Sequence, residues 1–201
     1  MARFGKILQS LREDVRVVVE RDPSVNTAWE ALLHPAMPAL WVHRVASPLH
    51  RDGHRVLAKL MANLARTVTG VEIHPGATIG RRVFIDHGSG VVIGEQAVIG
   101  HDVTIFHQVT LGAVGWWTDN QRPAGQRRHP VVGDRVIIGC NASVLGPVTI
   151  GDDAIVGAQA LVTADVPAGA RVNAATGTPT RGRRSPVGMP PYLSAAVGKS
   201  A

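Results

Sequence analysis

The sequence predicts an α+β protein, with an N-terminal α-helical region over residues 1–70 and a parallel β-helix over residues 71–182. An apolar pattern of helical period ends near Gly70, and a six-residue repeat takes over after it. Aromatic residues make up only 4% of the 201 residues while Gly and Pro number 22 and 13, which favours short strands joined by tight turns. With 45% hydrophobic and 18% charged residues, the chain can bury a core and is not disordered.

Four apolar patterns predict four helices in the first 70 residues. Apolar residues recur there at spacings of three and four, which is the period of an amphipathic helix. Proline and glycine mark the C-terminal ends of these helices, because proline cannot continue a helix and glycine readily adopts the left-handed conformation at a helix end. The predicted helices cover residues 7–19, stopped by Asp22-Pro23; residues 27–33; residues 38–46; and residues 56–68, stopped by Gly70.

From residue 71 an aliphatic or small residue recurs every six positions, in three runs. Glycine follows most of these positions, and a small residue or valine stands four positions later. In a β-helix each hexad is one short strand and a corner, where the aliphatic side chain points inward and glycine permits the turn. The positions are Ile73, Ile79 and Ile85; then, after a two-residue slip, Ile93, Ile99, Ile105 and Leu111; and finally Val132, Ile138, Val144, Ile150, Val156, Val162 and Ala168.

One loop interrupts the repeat between its second and third runs. We predict that residues 113–130 are extruded from the β-helix, and a long patternless loop in a regular solenoid is usually functional. Its Trp116 and Trp117 have two interpretations, a wall of a substrate pocket or a plug between subunits. The pattern decays towards the C-terminus, and residues 183–201 are predicted to form a flexible tail.

Charge and cysteine content narrow the function classes. The formal net charge of +6 suits a polyanionic partner, but the basic residues are scattered, so we expect no nucleic acid and no membrane partner. No apolar run approaches the ~20 residues of a membrane span, and the N-terminus carries charge too early for a secretory signal. The single cysteine, Cys140, excludes an internal disulfide framework and fits a reducing compartment. The sequence therefore predicts a cytoplasmic protein.

The irregular corner around His87 is the first candidate for chemistry. A β-helix coil has no cleft of its own, so a site needs an extruded loop, a neighbouring subunit or both. His87 falls two residues after Ile85, where the slip in the repeat breaks the regular corner. A lone histidine at a corner is often only a turn residue. A neutral imidazole near pH 7 nevertheless suits a general base.

Longer motifs relate the chain to a known family. The stretch GVEIHPGATIGRRVFIDHGSGVVIGEQAVIG over residues 70–100, followed by VTLG, RHP, VIIG and a closing G-x-P-x-R from Gly177 to Arg181, closely resembles the serine O-acetyltransferases, which are hexapeptide-repeat acyltransferases. The upstream ERDPS and ALWVHRVA segments fit the same family, so the resemblance covers roughly residues 12–182. It implies a left-handed β-helix and acetyl transfer from acetyl-CoA to the hydroxyl of L-serine in cysteine biosynthesis. It also implies that no metal is used and that the chain forms a homotrimer or a dimer of trimers.

The resemblance implies a role for each residue that matches a family motif. His87 corresponds to the general base that takes the proton from the serine hydroxyl during direct attack on the thioester. Glu72 corresponds to the acidic partner of that histidine, which orients the imidazole and stabilises the imidazolium. Asp22 and Asp86 correspond to the carboxylates that bind the ammonium of the amino-acid substrate.

Recognition of the substrate carboxylate and of the co-substrate is implied in the same way. Arg128 and His129 correspond to the pair that binds the carboxylate, where a guanidinium gives bidentate pairing. Acetyl-CoA is expected in a groove between neighbouring subunits, where small residues let its pantetheine arm approach the backbone and C-terminal basic residues meet its phosphates. The residues assigned to this groove are Gly112, Ala113, Gly139, Cys140, Ala142 and Ala158.

Departures from the family pattern point to a divergent member. Ala113 stands where the family has a second glycine, Gln108 stands where it has a small residue, and the loop before the RHP motif is longer than usual. These changes lie near the expected acceptor and thioester, so another small hydroxy amino acid or another acyl-CoA is the first alternative. The C-terminal isoleucine through which family members dock into cysteine synthase is absent, so no tight complex of that kind is expected.

A second alternative belongs to a different class, the zinc lyases of the γ-carbonic anhydrase kind, which are also built on hexapeptide coils. Counting along the repeat puts His107 one coil beyond His87, and His129 of a neighbour would complete a three-histidine site of catalytic zinc type. Stoichiometric bound zinc would favour the lyase, whereas thiol release from acetyl-CoA would favour the transferase.

Overall fold

The computed structural model describes residues 2–123 and 125–174. Within this part the chain passes through four helices and then winds into the β-helix that the repeat predicts. The closing motif from Gly177 to Arg181 and the tail predicted over residues 183–201 lie outside the described residues. The same holds for the C-terminal basic residues that the resemblance assigns to the phosphates of acetyl-CoA.

The helices of the N-terminal region follow the predicted apolar patterns. They are α1 (Ala2–Arg21), α2 (Ala28–Leu32), α3 (Met37–Arg51) and α4 (Arg55–Thr69). Thr27 caps α2, because its hydroxyl accepts the N–H of Glu30 and the Glu30 carboxylate accepts the N–H of Thr27. Gly70 ends α4 with a φ of 69°. The predicted end of the third helix near residue 46 is wrong, because the helix accommodates Pro48 and its carbonyl still accepts the N–H of Asp52.

Helix α4 exposes its large apolar side chains in the single chain. Its buried residues are Ala58 and Ala65, and the small methyl groups let it pack closely on α3 and on the first strand, β1 (Glu72–Ile73). The larger residues of the predicted pattern point away, with Val56 and Val68 at least 80% exposed. A continuous exposed apolar stripe of this kind marks a surface that another chain can cover. Its members are Val56, Leu57, Leu60, Leu64 and Val68.

Short parallel strands in the described residues form three sheets, one on each face of a triangular prism. Sheet 1 contains β1 (Glu72–Ile73), β4 (Val92–Ile93), β7 (Thr110–Gly112), β10 (Ser143–Leu145) and β13 (Leu161–Val162). Sheet 2 contains β2 (Thr78–Ile79), β5 (Val98–Ile99), β8 (Val131–Val132) and β11 (Thr149–Ile150). Sheet 3 contains β3 (Phe84–Ile85), β6 (Thr104–Ile105), β9 (Ile137–Ile138), β12 (Ile155–Val156) and β14 (Arg171–Val172). From β1 to β13 consecutive strands visit the three sheets in turn, so each circuit is one coil; between β13 and β14 the place in sheet 2 is taken by a single bridge of Val166 to Ile150.

The strand register confirms the two-residue slip that the repeat shows. Ile73 pairs with Ile93, which makes a coil of 20 residues, and Ile93 pairs with Leu111, which makes a coil of 18. The repeat residues fill the prism interior, where Ile93 and Leu111 are fully buried. The long loop leaves the prism between β7 and β8 and returns in register, because Ile99 pairs with Val132.

The last predicted repeat position is wrong. Ala168 is exposed, and Val166 takes the interior place because it bridges to Ile150. Val172 then pairs with Val156, so this coil is two residues shorter than a regular one. Burying the larger valine removes more apolar surface from water than burying alanine, which favours the shortened register.

Partly buried polar contacts attach the helical region to the prism. Arg44 on α3 donates to the carboxylate of buried Asp14 at 3.0 Å and to the carbonyl of Ile79 at 2.9 Å. Arg21 donates to Asp102 and Thr104 at about the same distances, 3.0 and 2.9 Å. These charge-assisted bonds position the end of α1, and with it Asp22, against the coils. None of the described helices combines the length and apolar character needed to cross a membrane.

Candidate active site

The corner that joins sheet 3 to sheet 1 is distorted where His87 lies, and we call residues 86–90 the histidine corner. His87, Gly88 and Gly90 have φ of 59°, 78° and 73°, all in the left-handed region. A Cβ on Gly88 would lie 2.7 Å from Val71, so only glycine fits there. The slip in the repeat is therefore the bend that lifts His87 out of the regular corner.

The His87 side chain is exposed and lies between a carboxylate and a second imidazole. It is 72% exposed, and its Nε2 is 3.8 Å from Oδ1 of Asp86. His107 follows Ile105, the partner of Ile85, and its ring meets His87 edge-on with the ring centroids 5.7 Å apart. The predicted stacking of these two histidines is therefore confirmed. An open imidazole in this position is free to take a proton from a bound alcohol.

Asp22 and Asp86 come together beside the histidine corner. Asp22 follows α1, Asp86 follows β3, and one ligand atom from each lies within 4.8 Å of the other and of a ligand atom of His34. The hydroxyl and the N–H of Ser24 donate to Oδ1 of Asp22 at 2.6 and 2.9 Å. These bonds hold the pKa of Asp22 below its ordinary value, so the carboxylate is an anion at neutral pH.

Glu72 makes no hydrogen bond or ion pair with His87 within the described part of the chain. It lies in β1, and its Oε2 is 3.3 Å from Nε of Arg66 on α4. The two segments are nevertheless adjacent, because the N–H of Gly90 donates to the carbonyl of Gly70. The carboxylate beside His87 in the structure is therefore Asp86 and not Glu72.

Arg128 lies at a different corner, where sheet 1 passes into sheet 2. We call residues 94–97, with residues 127–130 stacked on them, the arginine corner. The backbone N–H of Arg128 donates a hydrogen bond to Oε1 of Gln96 at 2.8 Å, which fixes the backbone at this position. The Arg128 guanidinium is 3.4 Å from the Glu95 carboxylate and one third exposed. This ion pair holds the guanidinium in place near the surface.

His129 is buried at the same corner. It is 8% exposed, and its ring covers Gly94 so closely that any Cβ there would overlap it. Burial, and then the charge of Arg128, lower the pKa of His129, so the ring is neutral near pH 7. The histidine and arginine corners border opposite edges of sheet 1. One chain therefore does not bring Arg128 and His129 beside His87.

The column of residues above His87 contains two of the residues assigned to acetyl-CoA, Cys140 and Ala158. His107, Cys140 and Ala158 each lie two residues after a paired residue, in β6, β9 and β12 respectively. Ala158 is exposed and Cys140 partly exposed. A Cβ on Gly139 would lie 2.6 Å from the backbone nitrogen of Ala158, so the coils approach closely here. This edge is an open strip of small side chains that begins at His87.

Ala142 does not belong to that strip. It is fully buried, its carbonyl accepts the N–H of Thr110, and its own N–H donates to Gly139. Its methyl group fills the prism interior, so the prediction that it lines the groove is wrong. Gly112 and Ala113 lie on the other edge of sheet 1, with the arginine corner. The residues assigned to acetyl-CoA thus divide between two edges of the prism.

The extruded loop has an ordered core and two exposed tryptophans. The short helix α5 spans Trp116–Asp119, and the buried Asp119 accepts the N–H of Gly115 at 3.0 Å. This bond keeps the pKa of Asp119 below its ordinary value. Trp116 and Trp117 are 72% and 58% exposed and meet edge-on with centroids 6.0 Å apart. Both rings are open to a bound molecule or to a neighbouring chain.

No three-histidine zinc site is formed by the described residues. The groups of three whose ligand atoms lie within 4.8 Å of one another are Asp22, His34 and Asp86, and His50, His74 and Glu95. In the second group, Nδ1 of His74 accepts the N–H of Gly76 at 3.0 Å. The neutral ring then carries its proton on Nε2, which opposes metal binding at that nitrogen.

The fold and the site together define a hexapeptide-repeat transferase with a left-handed β-helix. A family model described as bacterial transferase hexapeptide (six repeats) matches residues 129–164. The chain belongs to the serine acetyltransferase family. It is 51% identical over 167 residues to the serine acetyltransferase of Mycobacterium tuberculosis. The matched residues are 83% of this chain and 70% of that protein. The corresponding enzyme of Helicobacter pylori (strain ATCC 700392 / 26695) is 46% identical over 153 residues, covering 76% of this chain and 85% of that protein.

Solved structures of the family agree with these relationships. A serine acetyltransferase of Neisseria gonorrhoeae in complex with serine has a TM-score of 0.77 and 36% identity, covering 87% of this chain and 69% of that one. Isoform 3 from Entamoeba histolytica in complex with cysteine has a TM-score of 0.81 and 32% identity, covering 97% of this chain and 65% of that one. The expected divergence is therefore wrong, because identities reach 51%. The family also decides against the zinc lyase.

His34 is a site residue that the sequence reasoning missed. The sequence marks it only as the end of the second helical pattern, before a proline. Its signal is the Thr27–Glu30 capping box, which predicts a very short helix between Asp22 and His34. Such a helix turns the chain back, so that residue 34 meets the end of α1.

Proposed function

We propose that this chain transfers the acetyl group of acetyl-CoA to the hydroxyl of L-serine, forming O-acetylserine for cysteine biosynthesis. One observation carries the proposal: an exposed histidine, His87, lies beside Asp86 at a corner that Asp22 also reaches. This corner offers a base for a hydroxyl and anions for an ammonium, and L-serine carries both groups. Relatives crystallised with serine and with cysteine support this choice of substrate.

In the proposed reaction His87 is the general base. Its neutral imidazole takes the proton of the serine hydroxyl while the hydroxyl oxygen attacks the carbonyl carbon of the thioester. The new C–O bond gives a tetrahedral intermediate with its charge on the former carbonyl oxygen. The C–S bond then breaks, and the imidazolium returns its proton to the departing thiolate. O-acetylserine and CoA are released, and His87 is neutral again.

For Glu72 we keep the role of acidic partner, reached by a movement of its side chain. The Glu72–Arg66 pair is exposed on both sides, at 44% and 60%, and an exposed pair of this kind contributes only about 0–1 kcal/mol. The carboxylate is therefore free to turn towards the histidine corner when an imidazolium forms there. Asp86 already lies on the other side of the ring.

The substrate carboxylate is proposed to bind to Arg128 and His129 of a neighbouring subunit. These residues border the opposite edge of sheet 1 from His87, so a complete site needs two copies of the chain. A homotrimer, in which each histidine corner faces the arginine corner of the next chain, supplies three such sites. The exposed apolar stripe on α4 supports further contact between copies, including a dimer of trimers.

Light scattering tests the assembly directly. We expect a mass of three or six chains at assay concentrations, and monomers with full activity would contradict the shared site.

Acetyl-CoA is proposed to bind in the same interface, with its thioester near His87 and its pantetheine arm along Cys140 and Ala158. Gly112 and Ala113 of the neighbour would form the second wall. Action in the cytoplasm, and the absence of a tight cysteine synthase complex, stay predictions.

A thiol-release assay tests the activity. Purified chain is mixed with acetyl-, propionyl- or succinyl-CoA and with L-serine, L-threonine or L-homoserine, and free CoA is measured. We expect the highest kcat/KM for acetyl-CoA with L-serine, because L-serine is the amino acid bound in solved structures of the family. A higher value for another acceptor would establish the first alternative. Absence of thiol release with every pair would reject the proposed function.

A further inference from the structure

The pocket between Asp22 and Asp86 contains a third polar group, the imidazole of His34. His34 is only 6% exposed, and its ring packs against the ring of Phe84 with the ring centroids 5.5 Å apart. Its Nε2 faces Asp22, 3.9 Å from Oδ2. The buried Nδ1 has no hydrogen-bond partner among the described residues. Nε2 and Oδ2 are too far apart for a hydrogen bond, so this nitrogen is open to a ligand that binds between the imidazole and the carboxylates.

The three groups are close enough to share one bound cation. One ligand atom from each of Asp22, His34 and Asp86 lies within 4.8 Å of the other two. A tetrahedral ammonium with hydrogen bonds of about 2.9 Å holds its acceptors about 4.7 Å apart, and a zinc ion with bonds of about 2.0–2.1 Å holds its ligands about 3.3 Å apart. The 3.9 Å between Nε2 and Oδ2 lies between these two spacings. The ammonium is favoured because the acceptor of the proposed reaction carries one.

We propose that His34 is a third recognition residue for the ammonium of the acceptor, whose three N–H groups donate to Asp22, Asp86 and Nε2 of His34. The inference rests on the proposed function and names a residue that determines acceptor specificity. No hydrogen bond at Nδ1 fixes the tautomer among the described residues, so both neutral tautomers are accessible. In the proposed complex the proton lies on Nδ1, and the lone pair of Nε2 faces the cation.

The protonation state of His34 agrees with this role. Burial lowers the pKa of His34, while Asp22 and Asp86 act in the opposite direction and His87 acts with burial. The ring is thus neutral near pH 7 and accepts a hydrogen bond. At acid pH the imidazolium donates to Asp22 and repels the ammonium, so the KM for L-serine rises.

Two variants of the whole enzyme separate hydrogen bonding from packing. His34→Met fills a similar volume without an acceptor, and we expect it to raise the KM for L-serine about tenfold or more. His34→Gln restores an acceptor near the position of Nε2, and we expect its KM within about threefold of the wild type. The KM for acetyl-CoA and the kcat should stay within about twofold in both. His54→Gln, which changes an exposed histidine on the same region, is the matched control.

The pH dependence is the second measurement. The KM for L-serine should rise more steeply between pH 6.5 and pH 5 in the wild type than in His34→Gln, which has no titrating group at this position. N-methyl-L-serine has one N–H fewer, so wild-type discrimination against it should fall in His34→Met. Equal losses in His34→Met and His34→Gln would overturn the proposal, because they would reflect packing alone.

A metal site is the competing outcome. Calorimetric titration with zinc chloride in the absence of substrate should give no site of micromolar affinity that His34→Gln removes. Such a site, together with an unchanged KM for L-serine in His34→Met, would overturn the ammonium assignment. If His34→Met does not fold, His34→Gln and the pH series still decide. Failure of the proposed function looks different, since the wild type would then release no thiol with L-serine.

Discussion

The histidine corner and the arginine corner are built by the same repeat on the two edges of sheet 1, yet they hold their functional side chains differently. His87 is 72% exposed, and a carboxylate, Asp86, lies beside it at 3.8 Å. Arg128 is held by Glu95 and Gln96, and His129 is 8% exposed. The proposed base is open, whereas the proposed recognition groups are fixed. In the proposed trimer these corners are two half-sites, and each is completed by a neighbouring chain.

Removing the open group should have the largest effect. We expect His87→Ala to lower kcat at least ~100-fold, because positioned general-base catalysis contributes roughly 100- to 10,000-fold. The KM or Kd for acetyl-CoA should change little, since His87 supplies a proton acceptor and no main contact with the donor. Steady-state kinetics and binding of acetyl-CoA measured on the same preparation check both parts. Wild-type turnover in a correctly assembled variant would show that the histidine corner is only a turn.

Removing the fixed group should act on binding. We expect Arg128→Ala to raise the KM for L-serine by about 10- to 100-fold, because a charge-assisted bidentate pair of about 1.5–3 kcal/mol is lost. The kcat at saturating L-serine should fall less than in His87→Ala. Arg127→Ala is a matched control, because Arg127 instead donates to the carbonyl of Pro147 at 2.7 Å. An unchanged KM for L-serine would remove Arg128 from the site.

Mixing the two variants tests whether the corners meet between chains. When His87→Ala and Arg128→Ala chains are co-expressed, about one interface in four combines two intact half-sites. We therefore expect up to about a quarter of wild-type activity from the mixture. A chain that carries both substitutions, mixed with wild type, is the control. No recovery in verified hybrid trimers would place both half-sites in one chain and overturn the comparison.

The repeat could be predicted from the sequence because the residues of each hexad show which position is buried and which forms the corner. An aliphatic residue followed by glycine marks one strand and one corner, and the slip before Ile93 is visible as a change of spacing. The choice of Val166 over Ala168 could not be predicted, because both residues fit the pattern and only packing in the last coil separates them. The inward direction of Ala142 follows from its place four residues after Ile138, although it was assigned to the groove.

The site could be predicted as a set of residues but not as an arrangement. His87, Asp86 and Asp22 lie together because α1 ends against the first coils, a contact made by Arg21 that no local pattern reports. The separation of Arg128 from His87 depends on which edge of sheet 1 each residue borders. That relationship exists only once the chain is wound. The pairing of Glu72 with Arg66 likewise depends on how α4 packs against β1.

Acid should destabilise the contact between α3 and the coil below the arginine corner. His43 is buried, and its Nε2 is 3.1 Å from the carbonyl of Ala77 in the coil below the arginine corner. Burial lowers the pKa of His43 to about 4. Between pH 6.5 and 4 the unfolded chain binds a proton that the folded chain does not, so stability falls as the pH falls. At pH 5 the loss is about 2 kcal/mol.

Thermal unfolding at pH 7 and pH 5 checks this expectation. The drop in Tm should be smaller in His43→Gln than in the wild type, since the glutamine does not titrate. Hydrogen exchange should show the acid-induced opening at α3 and the Ala77 coil. The exposed His54→Gln is again the control, and its drop should match the wild type. Equal drops in all three proteins would remove His43 as the cause.

The smallest effect is expected from replacing Trp116 and Trp117 in the extruded loop. Their rings are mostly exposed in the single chain and carry no positive charge that could pair with a carboxylate. If they wall the acceptor pocket, replacing both with Ala changes the ranking of L-serine, L-threonine and L-homoserine by a few-fold, or raises hydrolysis of acetyl-CoA as water enters. If they plug the interface, the ranking stays and the trimer dissociates at a higher protein concentration.

We expect the change in ranking, because the loop that carries both tryptophans ends at Arg128 and His129. The ordered core of the loop supports this direction: Asp119 is buried and accepts the N–H of Gly115, so α5 holds the rings in a defined place beside that end. Acceptor ranking and light scattering are measured on one preparation of the double variant. Leu33→Ala, which removes a large apolar side chain that is 84% exposed elsewhere, is the control for surface apolarity. A lower trimer mass with an unchanged ranking would assign the tryptophans to the interface, and the arginine corner would then recognise the acceptor without them.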